Sequence, residues 1–186
     1  MEIKLILSGF GGQGVMLAGQ LLSRTMVDKG GEAIFLPYYG PEQRGGTANC
    51  RVTLSDSDIY SPIVKESDVL IAFNLPSLRK FENDVKRGGM ILADSTLCSE
   101  KTQRRHVNFY PIPATGLARG LGNEKAANII MLGAFLELTG IVSEEEVYKA
   151  ICKKLSGKPE LLAVDKKALR LGKNFAATLK QEEKDG

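Results

Sequence analysis

The chain has 186 residues, of which 43% are hydrophobic and 25% are charged, so its composition is that of a globular protein and not of a disordered or fibrous one. The formal net charge of +3 comes from scattered basic residues and is too small to indicate a nucleic-acid-binding protein. The chain is short for two full domains, so we expect one domain over residues 1–186 with a helical carboxyl-terminal part.

Cysteine usage and the amino-terminal segment exclude several further classes. The three cysteines are far apart and form no CxxC pair, so we expect neither a disulfide framework nor a zinc or iron–sulfur site in this chain. The first apolar run is short and follows an acidic residue, Glu2, which predicts neither a signal peptide nor a membrane span. We therefore expect a cytoplasmic protein.

Five short apolar runs alternate along the chain with segments of helical periodicity. This alternation predicts an α/β fold: a three-layer, doubly wound sheet that is mostly parallel. A further segment, residues 48–55, alternates apolar and polar side chains and predicts a half-exposed antiparallel strand at an edge, so the sheet should be mixed. The five runs are residues 3–7, 32–37, 68–73, 90–94 and 107–113.

Helical patterns fill the intervals between the predicted strands. The first two helices are predicted at about residues 13–29 and 76–87. A third runs from a cap at Asn123 to Thr139 and is apolar on nearly every side, which is typical of either a central core helix or a subunit contact. The carboxyl-terminal helical part, about 143–179, begins at a capping-box pattern.

A glycine-rich turn directly follows the first predicted strand. Gly9, Gly11 and Gly14 match the pattern GxGxxG, in which glycines allow a tight turn and let a phosphate approach backbone N–H groups at a helix amino terminus. The acidic residue that a dinucleotide site needs at the end of the second strand is missing, because residues 35–39 are FLPYY. Three alternatives remain: close helix–strand packing only, an anion or cofactor fragment at the turn, or an independent NAD site.

A second loop, residues 38–47, leaves the second strand at its carboxyl end. Because the carboxyl ends of the strands define the binding crevice of an open α/β sheet, we expect this loop and the glycine turn to meet. Arg44 offers a planar five-donor group for a carboxylate or phosphate, and Gly45 and Gly46 let backbone come close to it. The alternative is that Arg44 pairs with Glu42 and makes the loop rigid.

The remaining polar candidates have structural explanations as well as functional ones. Asn74, Asp94 and Ser95 follow strands and either cap the next turn or contact a ligand, and Asn128 needs a hydrogen-bond partner inside an apolar helix or marks a site or subunit contact. The one histidine, His106, is expected at the surface. We find no nucleophile elbow, Walker lysine, HExxH motif or Cys–His pair, so no catalytic and no metal-binding residue is predicted.

Three strings, GFGGQGVMLAG, YGPEQRGGTANCRV and SDSDIYSP, resemble the gamma subunit of 2-oxoacid:ferredoxin oxidoreductases, over about residues 3–140. The resemblance implies a subunit that is inactive alone, in a complex that converts a 2-oxoacid and coenzyme A into an acyl-CoA, carbon dioxide and reduced ferredoxin. Thiamine diphosphate, Mg²⁺ and iron–sulfur clusters would be held by alpha, beta and delta (ferredoxin-like) subunits.

The same resemblance assigns cofactor-binding positions and favours a substrate class. The string YGPEQRGG differs from that of pyruvate-type relatives, which favours 2-oxoglutarate or a branched-chain 2-oxoacid such as 2-ketoisovalerate. The other hypothesis is a self-contained Rossmann-like nucleotide-binding enzyme or sensor. The implied cofactor-binding positions are Gly9, Gly11, Gly12, Gln13, Gly14, Tyr39, Gly40, Pro41, Glu42, Arg44, Gly45 and Gly46.

Overall fold

The computed structural model describes residues 1–39, 47–61 and 65–185. It contains six strands, six helices and two 3₁₀ turns, Glu82–Asp84 and Glu124–Ala126, among these residues. The strands are β1 (Glu2–Phe10), β2 (Glu32–Tyr39), β3 (Thr47–Ser55), β4 (Ser67–Ala72), β5 (Val85–Asp94) and β6 (Asn108–Ile112). The helices are α1 (Val15–Asp28), α2 (Leu75–Phe81), α3 (Ala114–Gly120), α4 (Ala127–Thr139), α5 (Glu144–Lys154) and α6 (Pro159–Asp185).

The six strands form one mixed sheet in the order β2-β3-β1-β4-β5-β6. Strands β1, β4, β5 and β6 are mutually parallel, and β3 is antiparallel to both of its neighbours. Successive residues of β1 point to opposite faces, so Leu5 and Leu7 join the larger apolar cluster with α1 and α4, while Ile6 joins a smaller cluster with α2. The predicted three-layer, doubly wound mixed fold is confirmed.

Two local predictions are wrong. Strand β3 is not at the edge: it lies between β2 and β1, and β2 is the edge strand. Its alternation has another cause, because Cys50, Val52 and Leu54 pack in the larger cluster while Arg51, on the opposite face, lies 3.4 Å from the Asp84 carboxylate. Nor is the end of the strand half-exposed as predicted, because Thr53 and Ser55 of the polar face are buried as well. The alternation therefore reflects the polarity of the two faces and not the exposure of one of them.

The second helix ends at Phe81, earlier than the predicted residue 87. The chain continues through a 3₁₀ turn into β5, whose first half contains Gly88 and Gly89. The Gly88 N–H donates to the His106 carbonyl at 2.7 Å, so these glycines belong to the strand region and do not terminate a helix.

Helix α4 is a central core helix. Residues 127–136 are all buried, and α6 crosses α4 at a distance that only glycine permits. A Cβ atom on Gly172 would stand 1.9 Å from the Ile130 carbonyl oxygen, and one on Gly133 would stand 2.0 Å from the Leu169 carbonyl oxygen. The apolar residues around α4 are therefore explained by neighbours within this chain.

The carboxyl-terminal part is helical and begins at the predicted capping box, but α6 continues to Asp185, beyond the predicted end at about residue 179. The Ser143 hydroxyl accepts from the Glu146 N–H at 3.2 Å, and the Ser143 N–H donates to the Glu146 carboxylate at 2.7 Å, which completes the capping box of α5.

On α6 Asp165 is buried, and this burial raises the pKa of its carboxyl to about 6. In the part of the chain that the structure describes, no helix combines the length and apolarity that crossing a membrane needs.

Replacement of Gly172 by alanine should lower the free energy of unfolding by about 2–3 kcal/mol, because the added methyl group forces α4 and α6 apart. Urea denaturation followed by circular dichroism measures the change. Gly120→Ala is the matched control: a Cβ there meets nothing within 4 Å, so stability should hold or rise by up to about 1 kcal/mol. Equal effects of the two substitutions would contradict the close crossing.

Replacement of Asp165 by asparagine should stabilise the protein above pH 6 and not below pH 4. A folded-state pKa near 6, above the value of 3.8 in an unfolded chain, means that the wild type loses stability as the pH rises from about 4 to about 6. The variant escapes this loss, so its advantage should grow to about 1–2 kcal/mol at pH 7.5. Urea midpoints from pH 4 to pH 8 test this, with the exposed Asp58→Asn as the control.

Candidate functional site

The carboxyl ends of five strands and the amino end of β3 lie along one edge of the sheet. Phe10, the last residue of β1, pairs with Thr47 in β3, and Tyr39, the last residue of β2, pairs with the adjacent Ala48. Both ends of the second candidate loop therefore lie beside the glycine turn. The loop's own predicted site residues lie outside the described residues: Gly40, Pro41, Glu42, Arg44, Gly45 and Gly46.

The glycine turn connects β1 to α1 and exposes its backbone. Gly12 and Gly14 have φ angles of 99° and 77°, in the left-handed region that favours glycine. Gly11 and Gly12 are exposed, and no atom lies within 4 Å of the position that a Gly12 Cβ would take. The first turn of α1, Val15–Ala18, has no acidic residue and no side-chain cap from the described residues. An anion could approach this helix end and these amides.

Gln13 bridges the ends of β1 and β4. Its carbonyl oxygen accepts from the Phe10 N–H at 2.6 Å and from the Asn74 side-chain amide at 2.9 Å. Its own NH₂ group donates to the Phe73 carbonyl at 3.1 Å. The carboxamide thus holds the turn against two neighbouring strands.

The polar residues at the ends of β4 and β5 are caps. The Asn74 side chain accepts from the Ser77 N–H at 2.9 Å and begins α2. The buried Asp94 carboxylate accepts from the Thr115 N–H at 3.1 Å and the Thr115 hydroxyl at 2.5 Å, so it caps α3 across the sheet edge. The Ser95 N–H donates to the Ile112 carbonyl at 2.9 Å.

Asn128 also finds a structural partner, and that partner belongs to the glycine turn. Its side-chain NH₂ donates to the Gly14 carbonyl at 3.3 Å, and a Cβ on Gly14 would stand 2.2 Å from the Asn128 nitrogen. Gly14 is therefore required both by its φ angle and by the approach of α4. His106 is exposed, as predicted.

A cavity of about 300 Å³ opens beside the turn. Phe73 and Ala127 are buried at its wall, and Lys125 supplies an ammonium group. Glu124 is held by the Arg119 guanidinium at 3.1 and 3.2 Å, and this hydrogen-bonded pairing lowers the pKa of its carboxyl. The lining residues are Gly12, Gln13, Phe73, Leu97, Thr115, Glu124, Lys125 and Ala127.

Sequence reasoning missed most of this lining, because only Gly12 and Gln13 were candidates. The residues that it missed are Phe73, Leu97, Thr115, Glu124, Lys125 and Ala127. Leu97 follows β5, and Thr115 follows β6, so their positions after parallel strands were a usable signal. Glu124 and Lys125 come from the turn before α4, whose place at this edge depends on the packing of α4 in the core. No sequence pattern shows that packing directly.

The described residues of this edge are suited to binding a ligand and not to catalysing a reaction. Burial raises the pKa of the Cys50 and Cys98 thiols to about 12, so both stay protonated and are poor nucleophiles. Over residues 1–39, 47–61 and 65–185 no group of three His, Cys, Asp or Glu side chains could hold a metal ion. The edge offers backbone donors, a helix amino terminus and a cavity with a lysine.

The chain belongs to a family of enzyme components: the family model described as pyruvate ferredoxin/flavodoxin oxidoreductase matches residues 4–175. It is 41% identical over 154 residues to the 2-oxoglutarate synthase subunit KorC of Methanocaldococcus jannaschii, covering 81% of this chain and 82% of KorC. It is 38% identical over 177 residues to the ketoisovalerate oxidoreductase subunit VorA of Methanothermobacter marburgensis, covering 94% of this chain but spanning only 37% of VorA.

A solved structure has the same fold. The gamma subunit of a keto/oxoacid ferredoxin oxidoreductase from Geobacter sulfurreducens matches with a TM-score of 0.82 at 30% identity, covering 95% of this chain and 99% of that one. The predicted family resemblance is thus confirmed.

Replacement of Gly14 by alanine should destabilise the chain more than replacement of Gly12. Both substitutions force alanine into a left-handed conformation, at a cost of about 1–2 kcal/mol, but only the Gly14 methyl collides with Asn128. We expect Gly14→Ala to cost about 1–3 kcal/mol more in urea denaturation. Adding Asn128→Ala should remove part of that difference; no coupling between the two substitutions would contradict the contact.

Proposed function

We propose that this chain is a gamma-type subunit of a 2-oxoacid:ferredoxin oxidoreductase and takes part in the coenzyme A-dependent oxidative decarboxylation of a 2-oxoacid. The substrate class is 2-oxoglutarate or a branched-chain 2-oxoacid, the classes named in KorC and VorA. The observation that carries the proposal is an edge rich in hydrogen-bond donors, where the Glu124 carboxylate is paired with Arg119 and burial keeps the Cys50 thiol protonated. Such an edge positions a substrate for chemistry done elsewhere.

In this proposal the glycine turn and the second loop together bind an anionic group. Gly11, Gly12, Gln13 and Gly14 form the turn after the buried Gly9 of β1, and the exposed backbone of Gly11 and Gly12 and the adjoining helix terminus attract negative charge. Arg44 adds a bidentate donor from a loop whose two ends lie at the same edge. The other proposed contributors are Tyr39, Gly40, Pro41, Glu42, Gly45 and Gly46.

Partner subunits complete the proposed enzyme. Phe10, Tyr38 and Tyr39 lie at the same edge with 38%, 47% and 73% of their surface exposed. Exposed aromatic side chains are enriched where proteins bind one another, so this edge suits packing against alpha and beta subunits. Thiamine diphosphate, Mg²⁺ and the iron–sulfur clusters are assigned to those subunits and to a ferredoxin-like delta subunit, and the complex is assigned to the cytoplasm.

No observation favours the self-contained nucleotide-binding enzyme. The carboxyl end of β2, where a ribose-binding acid would stand, carries Tyr38 and Tyr39. Gly9 is accounted for by packing, since a Cβ there would meet Phe73 and Val15 at 2.9 Å.

The proposal is tested by reconstitution. The purified chain should show no 2-oxoacid-dependent reduction of a viologen dye, and adding the alpha, beta and delta subunits should give coenzyme A-dependent turnover with 2-oxoglutarate or 2-ketoisovalerate above that with pyruvate. Turnover by the isolated chain, or equal turnover by a complex that lacks it, would contradict the proposal.

Within the reconstituted complex, Arg44→Ala should reduce kcat/KM about tenfold or more, because a charged hydrogen-bond donor is removed from the proposed anion site. The melting temperature of the chain should not change. Arg87→Ala is the control, since Arg87 is an exposed arginine in the first half of β5, away from the carboxyl edge. Unchanged kinetics for Arg44→Ala would remove this residue from the site.

A further inference from the structure

One side chain occupies the gap between the ends of β1 and β4. The Gln13 carboxamide bonds to the Phe10 N–H, the Phe73 carbonyl and the Asn74 side chain at 2.6, 3.1 and 2.9 Å. A carboxamide has two donor hydrogens and one acceptor oxygen with two lone pairs. Both acceptor positions and one donor of Gln13 are therefore directed to protein atoms.

This gap is the point where the sheet reverses its winding. The connection after β1 forms α1 in the larger cluster, and the connection after β4 forms α2 in the smaller cluster on the opposite face. Open α/β sheets bind ligands in the crevice at such a point. Here Gln13 fills the crevice, so a ligand must lie further out, against the exposed backbone of Gly11 and Gly12.

The surroundings of Gln13 fit its carboxamide closely. A Cβ on Gly9 would stand 2.7 Å from the Gln13 carbonyl oxygen, so a glycine at position 9 leaves the space that the side chain uses. Asn74 connects Gln13 to α2, because its side-chain nitrogen donates to Gln13 while its side-chain oxygen accepts from the Ser77 N–H of α2 at 2.9 Å. The glycine turn on one side of the sheet is thereby fixed to a helix on the other.

We propose that Gln13 is a positioning residue: its carboxamide fixes the exposed amides of Gly11 and Gly12 relative to the ends of β1 and β4, and it does not itself contact the ligand. This inference rests on the proposed function and assigns the anionic co-substrate, coenzyme A, to the positioned amides. The donor hydrogen that faces the Phe73 carbonyl is the critical group, because an acceptor in its place would repel that carbonyl.

The test is Gln13→Glu in the reconstituted complex. Above pH 8 the introduced carboxylate can still accept from the Phe10 N–H and Asn74, but it faces the Phe73 carbonyl without a hydrogen to donate. We expect the KM for coenzyme A to rise about tenfold while kcat changes less than twofold. Because a glutamate carboxyl has an ordinary pKa of about 4.3, protonation restores a donor only as the pH falls below about 5, where the KM should return towards the wild-type value.

Gln20→Glu is the matched control. Gln20 allows the same replacement of glutamine by glutamate on α1, where its exposed side chain accepts from the Lys154 ammonium at 2.9 Å and not from an atom of the turn. This variant should have the wild-type KM for coenzyme A at every pH. Gln13→Asn keeps the carboxamide but shortens its reach, so it should raise the KM for coenzyme A without any dependence on pH. If Gln13→Glu does not assemble into the complex, the proposal is tested with Gln13→Asn alone.

The outcomes separate the inference from the proposed function. An unchanged KM for coenzyme A in Gln13→Glu at pH 8, or a loss of kcat that follows the melting temperature and is not reversed at low pH, would overturn the positioning role. If only the Gln13→Asn variant assembles, an unchanged KM for coenzyme A in that variant also overturns the positioning role. Equal turnover by a complex without this chain would instead overturn the proposed function.

Discussion

Parallel pairing of β1 with β4 brings two strand ends together, and the carboxamide of Gln13 closes the space between them. This contact joins the glycine turn to the end of β4. It determines where the glycine turn leaves the sheet, and through Asn74 it is joined to the start of α2. Asn128 of α4 bonds to the other end of the turn, so the core helix and both sheet faces share in holding it.

In the proposed function, the backbone amides of this edge are what a chain without catalytic side chains among its described residues contributes to an enzyme. Backbone amides that are already oriented need no rearrangement when a charged group arrives, so little of the binding energy is lost in ordering them.

The relatives illustrate two ways of using such a unit. KorC is similar in length to this chain, whereas in VorA the corresponding segment is 37% of a longer polypeptide.

The sequence predicted the class of fold because the alternation of apolar runs with helical periodicity is a local signal. It failed where the answer depends on long-range pairing: the pattern of Cys50, Val52 and Leu54 reports one buried face but not which strands lie on either side. The glycine turn was found from its motif, yet the roles of Gln13 and Asp94 required their partners at the other strand ends. The assignment of residues 40–46 to the site stays a prediction.

The buried thiols of Cys50 and Cys98 have a consequence for handling the protein. Alkylating reagents and peroxides attack the thiolate, and at neutral pH a thiol with a pKa of about 12 supplies almost none. Cys152, which is partly exposed on α5, is therefore the position where covalent labels and oxidative damage should begin. A single fluorophore attached there would report on α5 and leave the carboxyl edge of the sheet unmodified.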